Sequence, residues 1–310
     1  MPLRYDEDLV ESAVTLCTSG RRQGVPSLQI ARFNREREKL YAILDPDERN
    51  AAFFKLHLDW FREWGLEKLL SEPLKEFPLL PGALHVLAFR QSRGKNDEGS
   101  ELYVNESGQR SGVIALRPER FTREAELAAF LRHELTHLHD MVDPAFGYVP
   151  ELPVSGVSVN QHRLARERYR LLWAVTIDGR LTRAQRPTVA TREQRWTEFA
   201  RTFSFWPEPK QHETFDSLWL NSTPTHAALA ALVADPRELR SAAGPRPGAP
   251  CPLCGLPTFE WAHLSESSPA IIAMVQSEFA NWTIEAGACQ RCLETYEAAA
   301  KWGTLVAAVP

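Results

Sequence analysis

Long apolar runs are missing from this chain: nowhere do 18 or more apolar residues follow one another, so no membrane-spanning helix is expected. No basic segment followed by an apolar stretch stands near Met1, which argues against a secretory leader and points to a cytoplasmic protein. An excess of positive charge is missing too. Thirty-six basic residues face 40 acidic ones for a net charge of −4, and they are dispersed, so the chain as a whole lacks the footprint of a duplex-binding protein. Local basic faces remain around Arg163 to Arg170 and Arg180 to Arg195. No internal repeat of 20 to 50 residues is found, which excludes a solenoid. What is present is an ordinary globular composition, 44% apolar over 310 residues, enough for sizeable cores and about two domains.

Within that frame two patterns carry chemistry. The first is His133-Glu134-Leu135-Thr136-His137. On a helix, histidines at i and i+4 lie one turn apart on one face and can turn two ring nitrogens toward one zinc ion, while the glutamate flanks that face as a general base for a water that zinc acidifies. The surroundings are helical: Arg123 to Arg132 is amphipathic, acids stand in the first turn, Thr122 is the expected N-cap, and Asp143-Pro144 is the expected stop. Upstream, Leu84 to Phe89, Glu101 to Val104 and Val113 to Leu116 read as short strands, with Asn105 to Gly112 as a hairpin turn.

A catalytic zinc needs a third protein ligand, and several residues compete for that place. Asp178 ends the apolar run Leu171 to Ile177, and a buried acid needs a partner, which a metal would be; Asp178-Gly179 reads equally as a helix stop. Glu167 shares nearly the same helical face but sits among Arg163, Arg166, Arg168 and Arg170, where a solvated ion pair is the default. Asp143 and His162 rank behind these two. Asp140, seven residues beyond His133, is expected to accept a hydrogen bond from a ligand imidazole, and His139 points away from the metal face. Arg180 and Tyr148 could polarise a substrate carbonyl.

The second pattern is Cys251-Pro-Leu-Cys254 with Cys289-Gln-Arg-Cys292. Two CxxC knuckles with turn-forming neighbours supply the four thiolates of a closed, structural zinc site, and the apolar residues between them, Phe259, Trp261, Ile271, Ile272, Met274, Phe279 and Trp282, suffice for a small core. Cys17 is left over as a reduced core residue.

A small sheet leading into an HExxH helix resembles the zincin metallopeptidase superfamily, and the gluzincin branch takes its third ligand as an acid from a later helix, here expected over Gln161 to Leu181. HExxH followed by a zinc ribbon also resembles the SprT-like proteases in motif and domain order. The resemblance implies an α+β zincin-like catalytic domain with a small mixed sheet and two zinc ions, one catalytic and one structural. It also implies hydrolysis of a peptide or protein substrate, with Glu134 as base. The expected organisation is a helical region over 1–80, the catalytic domain over 81–240, a Pro/Gly/Ala-rich linker over 241–250 and the ribbon over 251–310. Within 1–80, Ser27 opens one helix and Asp45-Pro46 opens another through Trp64, whose wide apolar set is expected to pack on the sheet. The alternative is a non-catalytic protein whose ribbon docks a partner protein or a nucleic acid; hydrolysis of a non-peptide amide is a third reading.

Overall fold

A computed structural model of the chain describes residues 1–152, 159–233, 247–279 and 282–306; the side chains of 159–162, 266 and 301–306 lie outside that description. The chain divides into two compact units, Met1–Val233 and Ala234–Pro310, and the fold is mixed α/β, dominated by helices.

The first unit opens with a strand, β1 (Leu3–Tyr5), where helix was expected from residue 5 onward. Three residues carry too short a pattern to be read, and β1 owes its existence to its partner: Leu3, Arg4 and Tyr5 pair in parallel with Leu87, Ala88 and Phe89. Helices α1 (Glu7–Thr18), α2 (Ser27–Leu40), α3 (Pro46–Glu63), α4 (Leu66–Ser71) and α5 (Leu80–Ala83) follow. The start of α3 is written in its sequence, with Pro46 in the first turn and the Asp45 carboxylate accepting from the Glu48 N–H at 2.9 Å. The apolar breadth of α3 is absorbed by α1 and α2, and only its inner edge reaches the sheet, where Phe61 meets Tyr5 at 5.6 Å between ring centroids.

Strands β2 (Val86–Gln91), β3 (Gly99–Val104) and β4 (Arg110–Leu116) complete a four-stranded sheet in the order β1-β2-β4-β3. β4 runs parallel to β2 and antiparallel to β3, so β3 is an edge strand. Gly112 of β4 lies where packing is tight: a Cβ there would come within 3.0 to 3.3 Å of methyl groups of Leu87, Leu84 and Leu138.

Helix α6 (Glu124–Val142) carries the HExxH motif. Its apolar stripe, Leu127, Leu131, Leu135, Leu138 and Val142, recurs at helical spacing and is buried with the sheet and α1 in one core. Each of these side chains contributes about 1.5–3 kcal/mol by burial, which ties the helix to the sheet whatever its polar faces do. Thr122 does not cap it: its hydroxyl donates to the Glu119 carbonyl at 2.7 Å inside the preceding 3-10 turn, and Arg123 takes the cap position without a side-chain bond. The helix does stop at Asp143, whose carboxylate accepts from the Ala145 N–H at 2.9 Å.

Helices α7 (Val159–Arg183), α8 (Arg192–Thr202), α9 (Glu208–Leu220) and α10 (His226–Val233) form a second core around Leu172, Val175, Ile177, Phe199, Phe203 and Phe215. Asp178-Gly179 is not a turn: α7 continues to Arg183, and Gly179 is where α9 crosses so closely that a Cβ would collide with the Trp219 backbone.

The second unit holds a hairpin, β5 (Ala249–Pro250) with β6 (Pro257–Thr258), then α11 (Pro269–Glu278) and α12 (Gln290–Val306). Its small core is Ala262, Leu264, Ile271, Val275, Trp282, Ala288 and Leu293. Of the expected linker, residues 241–246 lie outside the described residues, and Ala249-Pro250 already belong to the hairpin. Among the described residues no helix is long and apolar enough to cross a membrane.

Candidate functional site

Three faces of α6 do three different things. The apolar stripe faces the core, Glu134 faces β3, and His133, His137 and Asp140, at i, i+4 and i+7, face partners on α7. His133 and His137 stand with ring centroids 5.0 Å apart, nearly perpendicular.

Asp178 stands behind His133. It is fully buried; one carboxylate oxygen meets His133 Nδ1 at 3.0 Å, and the other accepts from Arg195 Nε at 2.6 Å. Burial pushes the Asp178 carboxyl up, and the His133 hydrogen bond with the Arg195 charge more than reverses this, so it stays below the ordinary carboxylate range. An ionised carboxylate only accepts, so His133 Nδ1 donates its hydrogen to Asp178, and Nε2 is the ring nitrogen left for another partner. Asp178 thus makes the contact with a motif imidazole that was expected of Asp140, and each of its oxygens has a hydrogen-bond partner.

Asp140 in turn accepts from Trp173 Nε1 at 2.7 Å and from both terminal nitrogens of Arg180, at 2.9 and 2.5 Å. Burial raises its carboxyl, but contacts with His139, Arg180 and Trp173 outweigh that and hold it at about 2. Both terminal nitrogens of Arg180 are therefore paired with Asp140. The Trp173 ring packs edge-on against His137 at 4.4 Å, so Asp140 acts on that histidine through Trp173 and makes no bond to it. Burial, then the neighbouring His133, depress His137 well below the usual histidine value, which keeps the ring neutral.

Glu134 accepts from the Ser100 hydroxyl at 2.9 Å. Ser100 follows Gly99 at the start of β3, and the chain just before it is pinned by Glu98, which takes Arg120 Nε at 2.5 Å, Arg117 Nε at 3.1 Å and the Arg117 N–H at 3.0 Å. Tyr148 packs its ring on Trp173 at 5.7 Å and on His226 at 5.7 Å.

The remaining ligand candidates stand elsewhere. Glu167 is 56% exposed and paired with Arg163 at 3.2 Å, the solvated arrangement expected by default. Asp143 serves the turn that ends α6, and the His162 side chain lies outside the described residues. Among the described residues, no third His, Cys, Asp or Glu joins His133 and His137 in a ligand-like group. Two imidazoles one helical turn apart, one of them held at Nδ1 by a buried carboxylate, do fit zinc as nitrogen donors. Sequence reasoning missed Ser100 and Arg195. Arg195 could have been suspected from its place four residues before Phe199 on the buried stripe of α8, since a buried guanidinium needs a carboxylate.

The four cysteines of the second unit do form a ligand-like group, with all four sulfurs within 4.8 Å of one another. Cys251 follows β5, Cys254-Gly255 makes a turn closed by the Gly255 N–H to the Cys251 carbonyl, and Cys289 and Cys292 stand at the start of α12. The Cys251–Cys292 and Cys254–Cys289 sulfurs are 3.9 Å apart and all four are free thiols. Sulfurs about 2.3 Å from a tetrahedral zinc would be separated by about 3.8 Å, close to the two 3.9 Å approaches, so the cluster could hold a metal ion such as zinc. Burial alone would raise Cys251, but N–H groups of Cys289, Cys254 and Leu253 pointing at its sulfur bring it down to about 7. Comparison of the chain with family models, with curated proteins and with solved structures finds no match.

Proposed function

We propose that the first unit is a zinc-dependent peptidase-like hydrolase and that the second is a zinc ribbon. The observation that carries the first part is the hydrogen bond from His133 to a buried, arginine-paired Asp178, because it leaves Nε2 of that histidine as the free donor on a helix that also carries His137 and Glu134. His133 and His137 would hold the ion. Zinc, when bound, supplies a Lewis acid that makes a water acidic at neutral pH and polarises the carbonyl it attacks.

The chain's own residues do the rest. Glu134 takes one proton from the attacking water, whose oxygen bonds to the carbonyl carbon; as the C–N bond breaks, Glu134 passes that proton to the leaving nitrogen. Ser100 holds the Glu134 carboxylate in place for both transfers. β3, the sheet edge beside this carboxylate, has backbone groups for an extended peptide to pair with, which favours a polypeptide over a small amide.

A second reading has one observation in its favour: Phe259 is 76% exposed and Leu256 is also exposed, side chains a docking module would use. Zinc per chain, by elemental analysis of the wild type and of His137→Ala, separates the two. Two ions falling to one support the hydrolase reading; a single ion unaffected by the substitution favours the docking module. Glu134→Gln is expected to keep two ions and lose peptide hydrolysis by roughly 10²-fold or more. Unchanged turnover in that variant would remove the mechanism.

A further inference from the structure

Arg195 touches neither histidine, yet it holds the group that orients one of them. It comes from α8, whose start is fixed by a reciprocal cap between Thr191 and Gln194, and it sits one turn before Phe199, which is buried in the second core. Cap and anchor together leave the guanidinium little freedom, and its side chain is only 12% exposed. Nε donates to one Asp178 oxygen at 2.6 Å, and Nη1 reaches out to Glu198, which is half exposed, at 2.9 Å. A chain of four polar groups thus runs from the surface of α8 through α7 to α6: Glu198, Arg195, Asp178, His133.

The physical consequence follows from burial. With Arg195 in place, Asp178 has one oxygen spoken for and only the other left for His133 Nδ1. Without Arg195, a fully buried carboxylate would lose the partner that occupies its second oxygen, and would turn to recover one. That turn loosens the bond that holds His133 Nδ1 to Asp178 and fixes the direction in which Nε2 points.

We propose that Arg195 is a positioning residue for the metal site: it holds Asp178 toward His133 so that Nε2 of His133 stays available to zinc. This rests on the reading that His133 and His137 bind zinc. Glu198, being half exposed, tunes the arrangement less than the arginine itself.

The test uses the full chain. Zinc per chain is counted, and the dissociation constant of the weaker site is measured by competition with a chromophoric chelator, at one pH, for wild type, Arg195→Ala, Arg195→Lys, Arg195→Gln, Asp178→Asn and the double variant Arg195→Ala with Asp178→Asn. Loss of an outer partner of a ligating histidine weakens metal binding by about tenfold to a hundredfold, and Arg195→Ala is expected in that range with the four-cysteine ion retained. Arg195→Lys should recover part of the affinity, and the double variant should be no weaker than Asp178→Asn alone. A merely structural arginine would lower the melting temperature and leave the dissociation constant of the folded protein unchanged, and that result overturns the proposal. If the alanine variant does not fold, Arg195→Gln decides, since a folded glutamine variant with wild-type affinity also overturns it. A wild type holding one zinc, unaffected by His137→Ala, would remove the underlying reading itself, and with it the role of Arg195; two zincs with unchanged affinity in the variants would remove only the latter.

Discussion

The two candidate metal sites are built on opposite plans. In the second unit each pair of cysteines is three residues apart, one pair on a tight turn and the other at the start of α12, and closing the site needs only that these two local segments meet, which the Cys251–Cys292 and Cys254–Cys289 approaches at 3.9 Å report. In the first unit the two histidines are local, but everything that holds them is remote: Asp178 is 45 residues from His133, Ser100 is 34 from Glu134, and Trp173 is 33 from Asp140. A site made of local pairs folds with its ion. A site supported from three helices and a strand is shaped by the surrounding cores, with or without one.

That difference can be broken open experimentally, starting where the effect is largest. Cys289→Ser, or chelation of the wild type, is expected to unfold the second unit, since a structural zinc contributes on the order of 10–16 kcal/mol of folding free energy and the core there is a handful of side chains. Amide exchange would lose all protection in α11 and α12 while α6 and the sheet stay protected; protection retained after chelation would mean the small core suffices alone.

The first unit should respond to acid in a way the second does not. The Asp140 carboxyl is held at about 2 against an ordinary 3.8. A depressed carboxylate stabilises the fold above its unfolded value and loses that contribution as pH falls through the folded one. Between pH 5 and pH 2 the wild type should therefore lose about 2 kcal/mol more than Asp140→Asn. Urea unfolding of the first unit after chelation, followed by the near-ultraviolet ellipticity of its tryptophans, measures this, and parallel curves for the two proteins would show the Trp173–Asp140–Arg180 contacts to be without weight.

The smallest effect sharpens the contrast on one helix. Glu167, on the same helix as Asp178, is a solvated i+4 partner of Arg163, so Glu167→Ala should cost about 0.3–0.5 kcal/mol and leave zinc content unchanged. Loss of an ion in this variant would return Glu167 to the site.

What could be read in the chain follows the same division. The HExxH helix, its stop at Asp143, the cap at Asp45, the hairpin before β4 and the two cysteine knuckles are all local patterns, and each stands in the structure within a few residues of where it was expected. Strand β1 was invisible because three residues have no period of their own and are strand only by pairing with β2. Asp178 was legible as a buried acid needing a partner, but not which partner, because helical phase says what shares a face and nothing about what packs across it. Asp178, and not Asp140, came to stand against a motif histidine for that reason: Trp173 and Arg180, themselves on α7, reach Asp140 first, and Arg195 from α8 completes Asp178.

By itself, then, the sequence determined the ligand types and their local spacing, since covalent connectivity and helical or turn geometry bring residues three or four apart together without help. Only the tertiary structure decided which carboxylate stands behind which histidine, that Gly179 lies inside a helix where α9 crosses, and that Ser100 and Arg195 belong to the site at all. Those contacts join residues 17 to 45 positions apart, and they exist because two hydrophobic cores press α6, α7, α8 and the sheet edge together.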